Sequence, residues 1–134
     1  MLEHIPPEVL SKILGEANRV LRDDGLFVHC IDFSDHFSHS DRSISAINFL
    51  QFGEDEWAKF AGNRYMYQNR LRIDDFNCLA RNAGLEIISV EAEVDPTSVA
   101  VLEGGFPLNE RFRGKSVDVN ATANAWVVAT PSRR

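Results

Sequence analysis

Between positions 32 and 41 the chain places Asp32, Asp35, His36, His39 and Asp41, a dense group of carboxylates and imidazoles. Side chains of these types exchange protons, hold metal ions or grip polar substrates. His36 and His39 are spaced to fall on one face of a turn, where a nearby carboxylate would complete a metal site. The favoured expectation for Asp32, His36 and His39 is instead a substrate pocket, and no metal is assigned. Polar capping of a solvated loop is the plain alternative. Tyr65, Tyr67, Asn69, Arg70 and Arg72 form a second group that alternates polar and aromatic side chains. That alternation suits a pocket wall with anion-binding corners, because Arg recognises carboxylate or phosphate in a bidentate way. Pairing of each Arg with Asp74, Asp75 or another acid competes with that role. His4 is a candidate general base, or else it bonds the start of the helix that follows it.

These residues need elements to carry them. Pro6 and Pro7 suit a first helical turn, and Val9, Leu10, Ile13, Leu14, Ala17, Val20 and Leu21 mark one apolar stripe. Gly25 is expected to supply the positive φ of the helix end. Leu26–Phe33 then reads as a strand apolar on both faces, hence inside a sheet. Residues 34–72 are polar and aromatic, with short helical readings at 43–51 and 54–61; so long a connection is usually functional. Phe33, Phe37, Phe49 and Phe52 would be the underside of a lid, while Trp57 and Phe60 read as core. A second amphipathic helix opens at Ile73 and stops at Gly84. Residues 86–94 alternate Ile88, Val90, Ala92 and Val94 against Ser89, Glu91 and Glu93 as a strand. A connection with one helical reading at 108–114 leads to the last strand, 121–130.

At 134 residues the chain is one domain, 1–134, with 34–72 inserted in it on the substrate side. A net charge of -6 gives no reason to seek nucleic acid or an anionic membrane. No stretch approaches the ~20 apolar residues of a bilayer span, and a basic segment followed by an apolar one is missing from the amino terminus. A cytoplasmic protein is expected. Cys30 and Cys78 read as small buried hydrophobes, without a Cys-x-x-Cys pattern.

Leu2-Glu3-His4-Ile5, Arg19-Val20-Leu21-Arg22-Asp23-Asp24-Gly25-Leu26 and Asn69-Arg70-Leu71-Arg72 before a helix ending Ala83-Gly84-Leu85 resemble the class I S-adenosylmethionine-dependent methyltransferases of the type 11 kind. The resemblance covers nearly the whole chain but only the distal half of that domain. It implies an α/β fold: the last three strands of a doubly wound, Rossmann-like sheet, the final strand antiparallel between the two before it, plus a helical insertion. It also implies that Leu2, Glu3, His4 and Ile5 close over the sulfonium end of S-adenosylmethionine, with His4 as base, and that the parent enzyme methylates a small molecule. The family's Gly-x-Gly turn has no counterpart, since Gly104-Gly105 follows no strand–helix turn of that sort. The chain alone is therefore expected to bind the cofactor weakly or not at all and to be inactive.

A strand edge left bare by the missing half is a template for another chain. Homodimerisation through the 26–33 strand or the 8–22 helix is expected. Two further readings differ in class: a non-catalytic dimerisation or ligand-binding module derived from the same fold, and a metal hydrolase built on Asp32, His36 and His39.

Overall fold

In a computed structural model describing residues 1–132, the elements fall largely where apolar periodicity places them. Helix α1 (Pro7–Val20) begins with Pro7 in its first turn and buries Leu10 and Leu14. Strand β1 (Phe27–Asp32) leads to 3-10 turns at His36–His39 and Asn48–Gln51, helix α2 (Glu54–Ala61) and helix α3 (Ile73–Asn82). Strand β2 (Leu85–Val94) and strand β3 (Thr122–Pro131) enclose helices α4 (Pro96–Glu103), α5 (Glu110–Arg113) and α6 (Val117–Ala121). The helical reading at 43–51 shrinks to the turn at its end. The connection after β2 holds more helix than expected, because Asp95 caps α4 through the Thr97 and Ser98 N–H groups and Ser116 caps α6 through Val119.

Among the described residues the three strands form one sheet in the order β1-β3-β2. β3 pairs antiparallel with both neighbours, so the last strand does insert between the two before it and the outer two run parallel. One face is covered: Leu10, Leu14, Phe76 and Ala80 of α1 and α3 pack on Ile31, Ala125, Val127 and Ala129.

The other face is bare, which corrects the expectation for β1. Leu26 and Val28 are 56% and 48% exposed, and Trp126 of β3 is 52% exposed. β1 is an edge strand, in keeping with the bare edge expected for it, but only one of its faces is covered; Cys30, opposite Trp126, and Cys78 on α3 are exposed rather than buried. Apolar side chains report a preference for cover without saying whether any element supplies it. The α1 stripe divides in the same way: Leu10 and Leu14 face the sheet, whereas Val9, Ile13 and Val20 are exposed.

Two local details differ as well. A register shift between Ile87 and Ser89 turns Ile87 toward the core and leaves Ile88 52% exposed, the reverse of strict alternation. Positive φ belongs to Gly84 (83°) after α3, not to Gly25, where a side chain would meet the Arg22 carbonyl and the Leu21 methyl at 3.0 Å.

The inserted segment has a core of its own. Ile47, Phe49, Leu50, Trp57 and Ala61 form a second buried cluster with Phe112 from α5. Trp57 is core as expected, but Phe60 is 54% exposed, resting against Phe52 with ring centroids 5.0 Å apart.

Candidate functional site at the carboxyl end of β1

Chain reversal after β1 is driven by Asp32, whose Oδ1 accepts hydrogen bonds from the Ser34 N–H (2.8 Å) and hydroxyl (2.6 Å). Asp35 then caps the His36–His39 turn through the Phe37 N–H. The turn brings both imidazoles back over Asp32. His36 Nε2 lies 3.2 Å and His39 Nε2 4.0 Å from the same carboxylate oxygen, Oδ2. With its own proton given to Asp32, the Ser34 hydroxyl accepts from His39 Nε2 at 3.0 Å.

His4 flanks His36 from the other side, ring centroids 4.9 Å apart, matching the 4.9 Å between His36 and His39. The Tyr67 carbonyl sits 2.8 Å from His4 Nδ1. A carbonyl only accepts, so Nδ1 carries a proton, and in the neutral form of the ring Nε2 carries the lone pair. Glu3, almost buried, places Oε1 3.6 Å from that Nε2. Three imidazoles and two carboxylates thus converge from positions 3, 4, 32, 36 and 39.

Burial pushes the His36 pKa down, and His4 and His39 add to this against the pull of Asp32. Burial raises Asp32, but the Ser34 hydrogen bonds and then the two imidazoles outweigh it and hold its carboxyl below the ordinary value. At neutral pH the pair is therefore a carboxylate beside a neutral imidazole. Burial pushes Asp35 up, against the hydrogen bond from Phe37.

The residues that position this site lie in the strip 67–72. Gln68 accepts from the His36 N–H (3.1 Å) and donates to the Ser34 carbonyl (2.9 Å), clamping the turn. Asn69 donates to the Leu2 and Ile5 carbonyls at 2.9 and 2.8 Å, holding the buried Leu2 and half-buried Ile5 against β1. Replacing Asn69 with alanine removes its donor from the Ile5 carbonyl and leaves the Leu2 carbonyl with the Ile5 N–H alone; a loss of about 2 kcal/mol is expected. Urea unfolding measures it, and faster amide exchange at residues 2–5 than at 10–14 shows the effect is local. Global loosening of α1 instead would contradict the clamp.

Arg70 and Arg72 turn their guanidinium groups to acceptors of the protein itself, and both line a small cavity with Glu3 and Asp32. Arg70 donates to the Phe49 and Phe52 carbonyls and to Glu54, which Arg111 also engages; Arg72, 0% exposed, donates to the Phe33, Asn120 and Thr122 carbonyls. Asp74 and Asp75 pair with Lys115. Tyr65 is 75% exposed with the Arg64 guanidinium over its ring, and Tyr67 contributes its carbonyl. Sequence reading passed over Ser34 and Gln68. Ser two residues after Asp is the signature of a side-chain-closed turn and was available as a signal; nothing along the chain marks Gln68.

Phe37 of the same 3-10 turn walls a cleft of about 230 Å³ with Phe52, Trp57 and Phe60, and Asp35 and Asp41 are on its lining; none of the three histidines lines it. It approaches the size of a small-molecule site of ~300 Å³. No protein family, no curated protein and no solved structure matches this chain. Among the described residues, no helix is long and apolar enough to cross a membrane.

Proposed function

We propose that the chain is the distal part of a class I S-adenosylmethionine-dependent methyltransferase domain, cytoplasmic, whose complete form methylates a small molecule. The observation that carries this reading is the docking of the Leu2–His4 turn beside the carboxyl end of β1, in a sheet whose last strand lies antiparallel between two parallel ones. Ligands of open α/β sheets gather at that edge.

S-adenosylmethionine, when bound, supplies an already electrophilic methyl group. What remains for the protein is alignment of the acceptor and removal of its proton. Leu2, Glu3, His4 and Ile5 would border the cofactor at its sulfonium end. The lone pair on His4 Nε2 is free to take a proton, because Tyr67 fixes the tautomer. The aromatic cleft walled by Phe37 and Trp57 suits an acceptor, and its two carboxylates, Asp35 and Asp41, favour one bearing hydrogen-bond donors. The described residues do not fit the rest of the cofactor: Gly104-Gly105 ends helix α4, and no strand feeds it.

A second reading, a dimerisation module without catalysis, is favoured by the bare apolar sheet face. The outer edge of β2 is guarded by Glu86, Glu91 and Glu93, whereas β1 has no charge before Asp32. Inter-chain pairing is expected at β1, the unguarded edge.

Sequencing the coding DNA ahead of codon 1 and expressing the extended frame separates the two. The methyltransferase reading requires an upstream strand followed by Gly-x-Gly and calorimetric binding of S-adenosylmethionine by the extended product. Tight binding by the 134-residue chain alone would refute the partial-domain reading. An upstream sequence without that turn, together with a dimer in sedimentation at low micromolar concentration, establishes the module.

A further inference from the structure

We propose that Asp32, His36 and His39 bind a divalent first-row transition-metal ion of the zinc class through Asp32 Oδ2 and one nitrogen of each imidazole. This goes beyond the methyl-transfer reading and does not rest on it.

The donor atoms are already gathered. One ligand atom each from Asp32, His36 and His39 lies within 4.8 Å of the others, and Glu3, His4 and His36 form an overlapping set of the same span. Tetrahedral zinc with bonds of ~2.1 Å sets its donors about 3.4 Å apart. His36 Nε2 and Asp32 Oδ2, at 3.2 Å, already meet that spacing, and His39 Nε2, at 4.0 Å, approaches it by a small rotation of a largely exposed side chain.

A second observation points to a ligand. His36 Nε2 is buried and makes no hydrogen bond, although the carboxylate is within reach, so the two are not aligned for one another. A buried polar nitrogen left without a partner is costly. A cation bridging nitrogen and oxygen satisfies both.

The surrounding bonds are those that hold metal ligands in place. Ser34 occupies Oδ1 of Asp32 with two hydrogen bonds and so leaves Oδ2 turned to the imidazoles. Gln68 fixes the backbone of His36. On loading, His39 gives up its hydrogen bond to the Ser34 hydroxyl and carries its proton on Nδ1, a tautomer change that conserves charge on the ring. Imidazole with carboxylate selects zinc, iron, nickel or copper over magnesium or calcium. Three protein ligands leave a fourth position open, as in catalytic rather than structural zinc sites. His4 lies on the other side of His36, where it could exchange a proton with a molecule bound there.

The test is calorimetric titration of the chelator-stripped full chain with Zn²⁺, with Co²⁺ visible absorption as the spectroscopic reading and no S-adenosylmethionine present. One ion per chain is expected. His36→Ala is expected to weaken binding about a hundredfold, and Asp32→Asn and His39→Ala about tenfold each. His29→Gln, on β1 outside the cluster, leaves it unchanged. His39 is exposed enough that its variant keeps the fold, which far-UV circular dichroism verifies. No saturable binding, or binding indifferent to His36→Ala and His39→Ala, overturns the proposal and leaves a carboxylate–imidazole contact only. Because methyl transfer plays no part in the measurement, failure here does not bear on the proposed function, nor the reverse.

Discussion

Arg72→Met is expected to cost about 5 kcal/mol, enough to unfold much of the protein at room temperature, since whole domains are stable by only ~5–15 kcal/mol. The guanidinium is completely buried and joins three separate parts of the chain. It donates to the Phe33 carbonyl just after β1 at 2.7 Å, and to the Asn120 and Thr122 carbonyls where α6 runs into β3 at 3.0 and 2.8 Å. Methionine fills the volume but leaves three buried acceptors without donors, and each orphaned acceptor costs about 1–3 kcal/mol. The partners are carbonyls rather than carboxylates, so the loss should be nearly independent of salt. Burial pushes the Arg72 pKa down to about 10, with Asp75 and Asp74 opposing that shift. The group therefore stays protonated in folded and unfolded chains from neutral pH to near 10. Only above that does the unfolded chain hold more protons, so the Arg72 contribution is flat through neutral pH and stability rises with pH beyond it. Urea unfolding of the variant measures the effect; a shift under ~1 kcal/mol would mean water replaces the guanidinium at the carbonyls.

Phe112→Ala should cost about 4 kcal/mol, the range for deleting a fully buried aromatic ring. Phe112 is 0% exposed and fills the centre of the second cluster, where it meets Ile47, Phe49, Leu50 and Trp57 of the insertion. The guanidinium groups of Arg70 and Arg111 lie 5.4 and 4.9 Å from its ring centroid, adding roughly 1 kcal/mol through cation–π attraction. The effect distinguishes two kinds of insertion. A lid that swings free would be indifferent to a side chain from α5, whereas a packed subdomain loosens with it. The Trp57 indole N–H, bonded to the Gln68 carbonyl at 3.1 Å, is the probe: its hydrogen exchange should accelerate in the variant. Because Gln68 also clamps the His36 turn, the same cavity should weaken any ligand held by the histidines. Unchanged indole exchange would show that the cluster does not support the site.

Local pattern made several elements legible. The prolines and apolar spacing of α1, the acidic first turn of α3 and its Gly84 stop, and the aromatic and β-branched residues of β1 act over a few residues, and the elements form where they read, though not all their apolar side chains find cover. The central antiparallel place of β3 came from the family resemblance, and the sheet order agrees with it.

What only the tertiary structure decided depends on separations that no local pattern records. His4 and His36 stand 4.9 Å apart in space, brought together because Asn69 and Gln68 each clasp one of their segments from a third. Arg70 and Arg72 look identical to surface ligands in sequence, yet the carbonyls that consume them come from positions near 50 and 120. The bare face of Val28 and Trp126 was unreadable for the complementary reason. Composition determines which side chains seek cover or partners; the path of the remaining chain determines which of them obtain either.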